Sequence, residues 1–320
     1  MAICAISMLP FDSFAQVITW ETGRKEIATW SYNEETCVLS ISGSGILDKT
    51  YSTESTTIIN ETINSAKEII IGEGFTDIKI FTDGSKELNN LEKVTLPSTL
   101  WASTSSNNNA NCFNNCPKLK EVVFTEGIEV IRGFNNCDSI KSITIPSSVK
   151  KFDAFGECTS LRSVHITDIA AICRMNYNVS GFTHSPFCNV IQHGVLDNQI
   201  NEYTAILSEP RDLYLNGKKI THLVIPDSVD EINTYVFAGC SAEKVTLPKQ
   251  LKHIYAYAFR GMTNLKSIEL PEGTRVGEGA FELCYSLKEI TLNKDFSFSA
   301  LPYSIEQLID KKYNFELINE

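Results

Sequence analysis

Ten cysteines and five histidines are the side chains of this 320-residue chain that could act as nucleophiles or bind a metal. Half of the cysteines share one setting, three residues after a phenylalanine. They are Cys116, Cys137, Cys158, Cys240 and Cys284. Met262 takes the same place after another phenylalanine, and a position that accepts either residue needs a small or soft apolar group rather than a disulfide or a metal ligand. We therefore predict buried free thiols at this position.

The histidines offer one candidate metal site. If the chain between them forms a loop, His165 and His222 lie on adjacent strands and point to the same outward face, about 7 to 8 Å apart on the diagonal. Cys173, Cys188 or His184 from that loop would complete a set of nitrogen and sulfur ligands. Histidines on an exposed strand face more often bind no metal than bind one, so we predict no metal ion and no cofactor.

Paired carboxylates are the other arrangement that could catalyse a reaction. Glu68 with Glu92, or Glu269 with Glu289, could sit on neighbouring strands as in a glycoside hydrolase. Lysines alternate with these acids at Lys93, Lys244, Lys266 and Lys288. That alternation favours a solvated face of ion pairs. The chain also has no phosphate-binding glycine loop, no Gly-x-Ser-x-Gly, no His-Glu-x-x-His and no Cys-x-x-Cys, so we predict that it is not an enzyme and has no catalytic residues.

The elements that position these residues repeat along the chain. The pattern apolar-x-x-apolar-x-apolar begins at Ala66, Leu91, Leu119, Ile140, Leu161, Ile220, Ala242, Leu265 and Leu287. The steps between successive starts are 25, 28, 21, 21, 59, 22, 23 and 22 residues. Such a period, with one strand in each repeat, is typical of a solenoid, in which each repeat buries its apolar row only against its neighbours.

Each repeat is predicted to point its first, fourth and sixth strand residues inward and to end the strand at a proline, as at Pro146. A row of phenylalanines should then run through the interior. Its members are Phe113, Phe134, Phe155, Phe237, Phe259 and Phe281. Burial of each ring should contribute about 2 to 3 kcal/mol.

The step of 59 residues is the main irregularity. Subtracting one repeat of 22 leaves about 37 extra residues between Leu161 and Ile220. We interpret residues 169–217 as an insertion that leaves the stack as a loop, which is either functional or a structural excursion. Leu161 and Ile220 would then begin adjacent strands.

The two ends depart from the repeat. Residues 1–15 resemble a secretory signal peptide that ends in Ser13-Phe14-Ala15, although no Lys or Arg precedes its apolar core. The alternative is a buried N-terminal strand. Residues 16–59 predict two or three strands, which we interpret as an N-terminal β cap. The repeats then fill 60–293, and residues 294–320, with Ile305, Leu308 and Ile309 at helical spacing, predict a C-terminal cap.

Charge and hydropathy exclude some partners. The 28 basic and 39 acidic residues leave a net charge of −11, and no basic run follows a phosphate backbone. Nucleic acid is therefore an unsuitable partner. No other apolar run approaches the roughly 18 residues of a membrane helix, which predicts a chain that does not insert into a membrane.

Two repeats carry a more specific pattern. Each begins with a phenylalanine that is followed three residues later by Cys or Met, continues to an Ile or Leu, and ends in an apolar-x-apolar-Pro strand. They are Phe134 to Pro146 and Phe259 to Pro271. This pattern resembles the BspA-like leucine-rich repeats of bacterial surface proteins, over about residues 60 to 295. The resemblance implies a mainly β repeat solenoid, a right-handed leucine-rich repeat superhelix of about nine rungs with an N-terminal β cap and a C-terminal cap.

The same resemblance implies a non-catalytic exported protein, at the cell surface, extracellular or periplasmic, that binds a protein, an extracellular-matrix partner or a glycan as a monomer. The outward strand face is the predicted binding surface, with Thr144, His165, His222 and Thr246 beside the insertion as the binding residues. Two alternatives remain open at this point. One is a glycan-binding or metal-dependent enzyme module in residues 181–208, using His184, Cys188 and His193, and the other is a surface spacer without a ligand.

Overall fold

The computed structural model describes residues 5–6, 15–21, 27–47, 53–81, 88–100, 112–177, 185–187, 190–191, 206–207, 209–292 and 316–319. These residues are mostly β-strand and turn, which confirms the mainly β repeat fold. The chain divides into two compact units. We call Met1–Val149 with Ala154–Leu161 the first unit, and Lys150–Asp153 with Arg162–Glu320 the second unit.

The strands are short and follow one another in quick succession. The elements up to residue 145 are β1 (Ala5–Ile6), β2 (Ala15–Glu21), β3 (Ile27–Asn33), β4 (Val38–Ser42), β5 (Gly45–Ile46), α1 (Thr53–Ser65), β6 (Glu68–Ile71), β7 (Phe75–Asp77), a 3-10 helix (Lys79–Phe81), β8 (Lys93–Leu96), β9 (Glu121–Phe124), β10 (Val130–Gly133) and β11 (Ser142–Ile145). The remaining elements are β12 (Lys151–Ala154), β13 (Ser163–Ile166), α2 (Ile169–Cys173), β14 (Asn176–Tyr177), β15 (Val190–Ile191), β16 (Ile206–Leu207), β17 (Asp212–Leu215), β18 (Lys218–Lys219), β19 (His222–Val224), β20 (Glu231–Ile232), β21 (Lys244–Thr246), β22 (His253–Ile254), β23 (Ser267–Leu270), β24 (Arg275–Val276), β25 (Glu289–Leu292) and β26 (Glu316–Asn319).

The sheet of the first unit begins antiparallel and becomes parallel where the repeats begin. β2 pairs antiparallel with β1 and β3, and β3 pairs antiparallel with β4. β4 then pairs parallel with β6, β6 with β8, and β8 with β9. Leu39, Ile69 and Val94 occupy matching register positions in this series and are fully buried. One apolar row therefore runs from the N-terminal strands into the repeats.

The predicted inward positions are confirmed. In β11, for example, Ile143 and Ile145 are buried while Ser142 and Thr144 are exposed. The described residues at the first, fourth and sixth positions of the nine repeat strands are all buried except Ile220, which is half-buried. Alternation with a period of two residues is what a strand with one buried face requires.

The predicted phenylalanine row is also confirmed and extends further than the sequence indicated. In the first unit Phe81, Phe113, Phe134 and Phe155 stack with ring centroids 4.8, 5.5 and 5.2 Å apart. In the second unit Phe187, Phe237, Phe259 and Phe281 follow one another at 6.2, 5.7 and 5.6 Å. Phe81 and Phe187 were not predicted, because neither precedes a recognisable strand pattern at the usual spacing.

The interpretation of residues 169–217 as a loop outside the stack is wrong for its first and last parts. β14 pairs parallel with β12, with Asn176 opposite Lys151. β13 pairs parallel with β17, so that His165 lies opposite Tyr214 and Val164 opposite Leu213. Leu161 and Ile220 therefore do not begin adjacent strands. The physical reason is that the edge of β13 needs a backbone partner, and residues 212–215 of the insertion supply one. Phe187, from the same segment, likewise joins the phenylalanine row.

A hairpin returns the chain from β17 toward the regular repeats. β17 pairs antiparallel with β18 through Asn216 and Gly217, whose φ angles are 49° and 78°. Two successive residues with positive φ define the type I′ turn that suits a right-twisted hairpin, and Asn-Gly is its strongest sequence signal. That dipeptide was available in the sequence and would have revealed the hairpin.

The base of this hairpin is one strand wide. The amide of Asp212 donates to the carbonyl of Arg162 at 2.7 Å, and the amide of Ser241 donates to the carbonyl of Arg211 at 2.9 Å. Arg211 is buried, with 1% of its surface exposed, and its Nη1 donates to the carbonyl of Pro186 at 2.8 Å. At Arg211 the chain is therefore a single backbone segment between two repeats, and the hairpin strands β17 and β18 follow it.

Truncation of a stacked phenylalanine should destabilise the fold strongly. Phe134 is fully buried between Phe113 and Phe155, so Phe134→Ala leaves a cavity and should lower the free energy of unfolding by about 3 to 5 kcal/mol. Denaturant unfolding followed by circular dichroism measures this. Tyr285→Ala, at a ring that is 47% exposed, is the control and should change stability by less than about 0.5 kcal/mol. Equal losses in both variants would show that the stack is not a core element.

Candidate functional site

The four residues predicted to bind a partner fall in both units. Thr144 lies exposed on β11 of the first unit. His165, His222 and Thr246 lie on β13, β19 and β21 of the second unit. The structure brings two of them together, since His222 Nε2 lies 2.8 Å from Thr246 Oγ1. It does not place His165 on the strand beside His222, because β17 occupies the neighbouring position.

His165 has an aromatic partner that the sequence did not reveal. Its ring stacks on Tyr214, with centroids 4.5 Å apart and planes 17° apart. The two residues are directly opposite in the parallel register of β13 and β17, and both are half-buried. The rings therefore hold each other in one orientation on the outward face. Tyr214 could have been found from Leu213-Tyr214-Leu215, a short apolar-aromatic run directly before Asn216-Gly217.

An ion pair joins the two strands of the hairpin that carries Tyr214. Lys219 Nζ lies 2.7 Å from Asp212 Oδ2, and Ser241 Oγ donates to Asp212 Oδ1 at 2.7 Å. Burial alone would raise the pKa of Asp212, but the hydrogen bonds from Lys219 and Ser241 outweigh it and lower that pKa. The hydrogen bond with Asp212 in turn raises the pKa of Lys219. Asp212 thus links both hairpin strands to the next repeat.

We call the outward side chains of β13, β17, β18, β19 and β21 the hairpin face. Its members are His165, Asp212, Tyr214, Lys219, His222, Val224, Lys244 and Thr246. Val224 is 48% exposed, more than any other large apolar side chain that the structure describes. The hairpin face therefore includes a stacked ring pair, an exposed apolar group and polar groups.

The strand face of the first unit has a different character. Lys93 Nζ lies 3.4 Å from Glu68 and 3.6 Å from Glu121, and Lys120 Nζ lies 2.6 Å from Glu92. These acids are therefore partners of lysines, as the alternating charges predicted, and not a catalytic pair. In the second unit Glu269 lies opposite Thr291 rather than Glu289.

The predicted buried free thiols are confirmed. Cys116, Cys137, Cys158, Cys240 and Cys284 are unbridged and buried. Several of them bond to the preceding repeat, with Cys137 Sγ 3.3 Å from the carbonyl of Phe113 and Cys158 Sγ 3.1 Å from that of Phe134. Burial raises the pKa of Cys240 to about 12, and that of Cys284 likewise. A neutral buried thiol is a poor nucleophile and metal ligand, so these cysteines pack the core.

The metal ligands proposed from the sequence are not assembled in the described part of the chain. No group of three or more His, Cys, Asp or Glu residues suited to a metal occurs among the described residues. Cys173 is fully buried at the end of α2, where burial raises the pKa of its thiol. His184, Cys188 and His193 lie outside the described residues.

Comparison with known families agrees with this repeat geometry. The profile of the BspA type Leucine rich repeat region matches residues 57–181 and 210–303, in six copies. The chain belongs to this family. The break between the two matched ranges, residues 182–209, precedes the hairpin. The BspA-type repeats thus include β17, although its strand pattern is weak in the sequence.

The solved structures that resemble this chain are distant from it in sequence. Among curated proteins no sequence matches this chain. A leucine-rich repeat protein from Eubacterium ventriosum is 16% identical, with 84% of this chain and 72% of that chain covered and a TM-score of 0.39. A leucine rich cell surface protein from Faecalibacterium prausnitzii is 15% identical, with 94% and 95% covered and a TM-score of 0.39. The pneumococcal vaccine antigen PcpA is 16% identical, with 88% and 82% covered and a TM-score of 0.33. The family assignment rests on the repeat profile.

A search for membrane spans is negative for the described residues, where no helix combines the length and the apolar character that crossing a bilayer requires.

Alkylation should separate buried from accessible thiols. Cys37 is half-buried, whereas the other seven described cysteines are buried. Iodoacetamide at about pH 8 should therefore modify Cys37 in the folded protein and leave those seven unmodified until denaturant is added, because the thiolate is the reactive form. Peptide mass spectrometry locates the label, and Cys37→Ser is the control. Fast labelling of Cys137 in the folded protein would contradict this packing role.

The ion pair of Asp212 should make a small, pH-dependent contribution to stability. A carboxylate whose pKa is lowered by folding stabilises the fold above its ordinary pKa of 3.8, and that contribution is lost as the pH falls through the lower folded value. Asp212→Asn should therefore be less stable by up to about 1 kcal/mol near pH 7. The difference should disappear at acidic pH below the folded pKa.

Denaturant unfolding at the two pH values measures the effect of Asp212→Asn. Asp227→Asn is the matched control, since Asp227 is exposed and lies in no ion pair within the described chain. An Asp212 effect that persists unchanged in acid would show that the carboxylate charge is not what stabilises the hairpin.

Proposed function

We propose that this chain is a non-catalytic, exported member of the BspA-type repeat family that binds a protein partner through the hairpin face. The cell surface, the extracellular space or the periplasm is the proposed location, supported by the leader-like residues 1–15. The proposed architecture is a right-handed superhelix of about nine repeats between an N-terminal β cap and a C-terminal cap. Parallel pairing of β4 with β6 and of β25 with β26 supports the two ends.

The observations that carry the proposal are the stacked pair of His165 and Tyr214 and the exposed Val224 on β19 of the same unit. Aromatic side chains with a polar tip contribute disproportionately to protein interfaces, because they bury a large area with little loss of side-chain freedom. Here the stack has already fixed both rings before any partner arrives. Little side-chain entropy remains to be lost on binding, which favours affinity.

The same stack favours a protein over a glycan. A sugar ring usually packs on an open aromatic face, but one face of Tyr214 is covered by His165 at 4.5 Å. The cross-strand neighbour on its other side is Lys219. Ring edges and the tyrosine hydroxyl are left for a partner, and these suit the close packing and hydrogen bonds of a protein interface.

The contrast with the first unit supports this location. There, Lys93 on the strand face forms ion pairs with Glu68 and Glu121. A partner would have to break or cover these pairs and would gain little apolar area. The hairpin face instead offers Tyr214 and Val224, so it is the better candidate for binding.

Binding should depend on Tyr214 and Val224. The full chain is screened by biosensor against immobilised matrix proteins and a glycan array, with the Tyr214→Ala, Val224→Ala variant alongside. We expect saturable binding to a protein, weakened about tenfold or more in this variant through loss of buried aromatic and apolar area.

The matched control is Tyr285→Ala with Val123→Ala, which removes the same side-chain types elsewhere and should leave binding within about twofold. Circular dichroism and thermal melts verify that both variants fold. Protein binding that is equal in the two variants would move the site away from the hairpin face. Absence of any saturable partner would favour a spacer, and a glycan hit alone would favour the glycan-binding alternative.

A further inference from the structure

The charges of the hairpin face are unevenly balanced. Its one acid, Asp212, is already bound by Lys219 at 2.7 Å and by Ser241. The acids at its border are also paired, Glu243 with Lys266 at 2.9 Å and Glu209 with Arg162 at 3.7 Å. The carboxylate of the hairpin face is therefore already engaged, whereas Glu269 on the next strand, β23, is exposed without an ion pair among the described residues.

Lys244 is a strand-face lysine without an acid partner among the described residues. Its side chain is exposed on β21, directly opposite His222 on β19, and within the described part of the chain no acid pairs with it. By contrast, Lys93, Lys120, Lys219 and Lys266 each have a carboxylate within 3.6 Å. The lysine next to the exposed Val224 and Thr246 thus keeps an unpaired charge within the described part of the chain.

The hairpin face has a surplus of positive charge, although the chain as a whole is acidic. Two lysines against one aspartate leave one net positive charge on the hairpin face, while the chain carries −11. His165 and His222 add ring nitrogens that can form hydrogen bonds. An acidic partner would be repelled by most of this molecule and attracted to the hairpin face. This difference would orient the partner as it approaches and would also increase its affinity.

The geometry also limits the shape of the partner. Tyr214, Val224, Lys244 and Thr246 lie on short strands, in which outward side chains follow one another at every second residue. An extended segment can cross these side chains and place its own alternate side chains between them, as in recognition of a strand-like peptide. From these observations we infer that the hairpin face binds an extended acidic peptide segment of the partner protein, whose carboxylate bonds Lys244 and whose apolar side chains pack on Val224 and Tyr214.

This inference rests on the proposed function, and a selection with random peptides in place of the partner tests it. A phage library of such peptides is selected on the full chain and counter-selected on the Tyr214→Ala, Val224→Ala variant. We expect the surviving peptides to be enriched in Asp and Glu next to an apolar residue. Replacing the acids of one such peptide by their amides should weaken its binding about tenfold or more.

A pair of charge-reversal variants makes the test specific. Lys244→Glu should weaken the acidic peptide about tenfold or more at low salt. Lys141→Glu makes the same change at an exposed lysine of the first unit that likewise has no ion pair among the described residues, and should alter binding less than about twofold. Equal weakening in both variants would mean that only the overall charge matters, and would overturn the inference.

The selection also separates the inference from the function on which it rests. Neutral or basic peptides that bind the full chain and not the Tyr214→Ala, Val224→Ala variant would overturn the acidic partner and leave protein binding at the hairpin face intact. Peptides that bind both proteins equally would overturn both proposals. Survival of Lys244→Glu binding at full strength would also count against the acidic partner.

Discussion

The backbone ladder between successive repeats is the interaction on which the rest of the structure depends. A repeat strand such as β8 satisfies its amides and carbonyls only because β6 lies on one edge and β9 on the other. This pairing sets one spacing for every side chain at the same repeat position. The phenylalanine stacks, the bonds from cysteine thiols to the carbonyls one repeat earlier, and the lysine and glutamate pairs on the strand face all follow from that spacing. Core and surface are therefore built by the same constraint.

The hairpin shows what happens when this constraint meets an irregular segment. Here the chain keeps the ladder, because Asp212 bonds to Arg162 in the preceding repeat and Arg211 bonds to Gly239 and Ser241 in the following one, and the guanidinium of Arg211 is buried against Pro186. Beyond that point β17 and β18 add two strands where a regular repeat would place one. The backbone ladder continues through the base of the hairpin at Arg211, but β18 is an added strand with no counterpart in a regular repeat. The outward residues of the hairpin therefore no longer follow the pattern of the repeats. A site with its own side-chain chemistry can form without loss of the core.

The properties of the hairpin face follow from this local freedom. In the regular repeats, Lys93 is held between Glu68 and Glu121 on the neighbouring strands. The hairpin brings Tyr214 against His165 instead, and its own lysine satisfies Asp212. Lys244 and Val224 are then left facing solvent. An apolar group, fixed rings and an unmatched cation are an unusual combination on an acidic protein, and this combination is what makes the surface a candidate for recognition.

Periodicity alone determined the repeat strands, their inward residues, the phenylalanine row and the free thiols, because each repeat gives the same answer and local pattern agrees with global packing. It also placed His222 and Thr246 on the outward face, where they meet. Tertiary structure alone decided which strand lies beside β13, and hence that His165 stacks on Tyr214 rather than facing His222. Phe81, Phe187 and Arg211 were hidden for the same reason. Their roles depend on contacts between segments far apart in sequence where the repeat is broken, and no period can specify a partner at a place where the period stops.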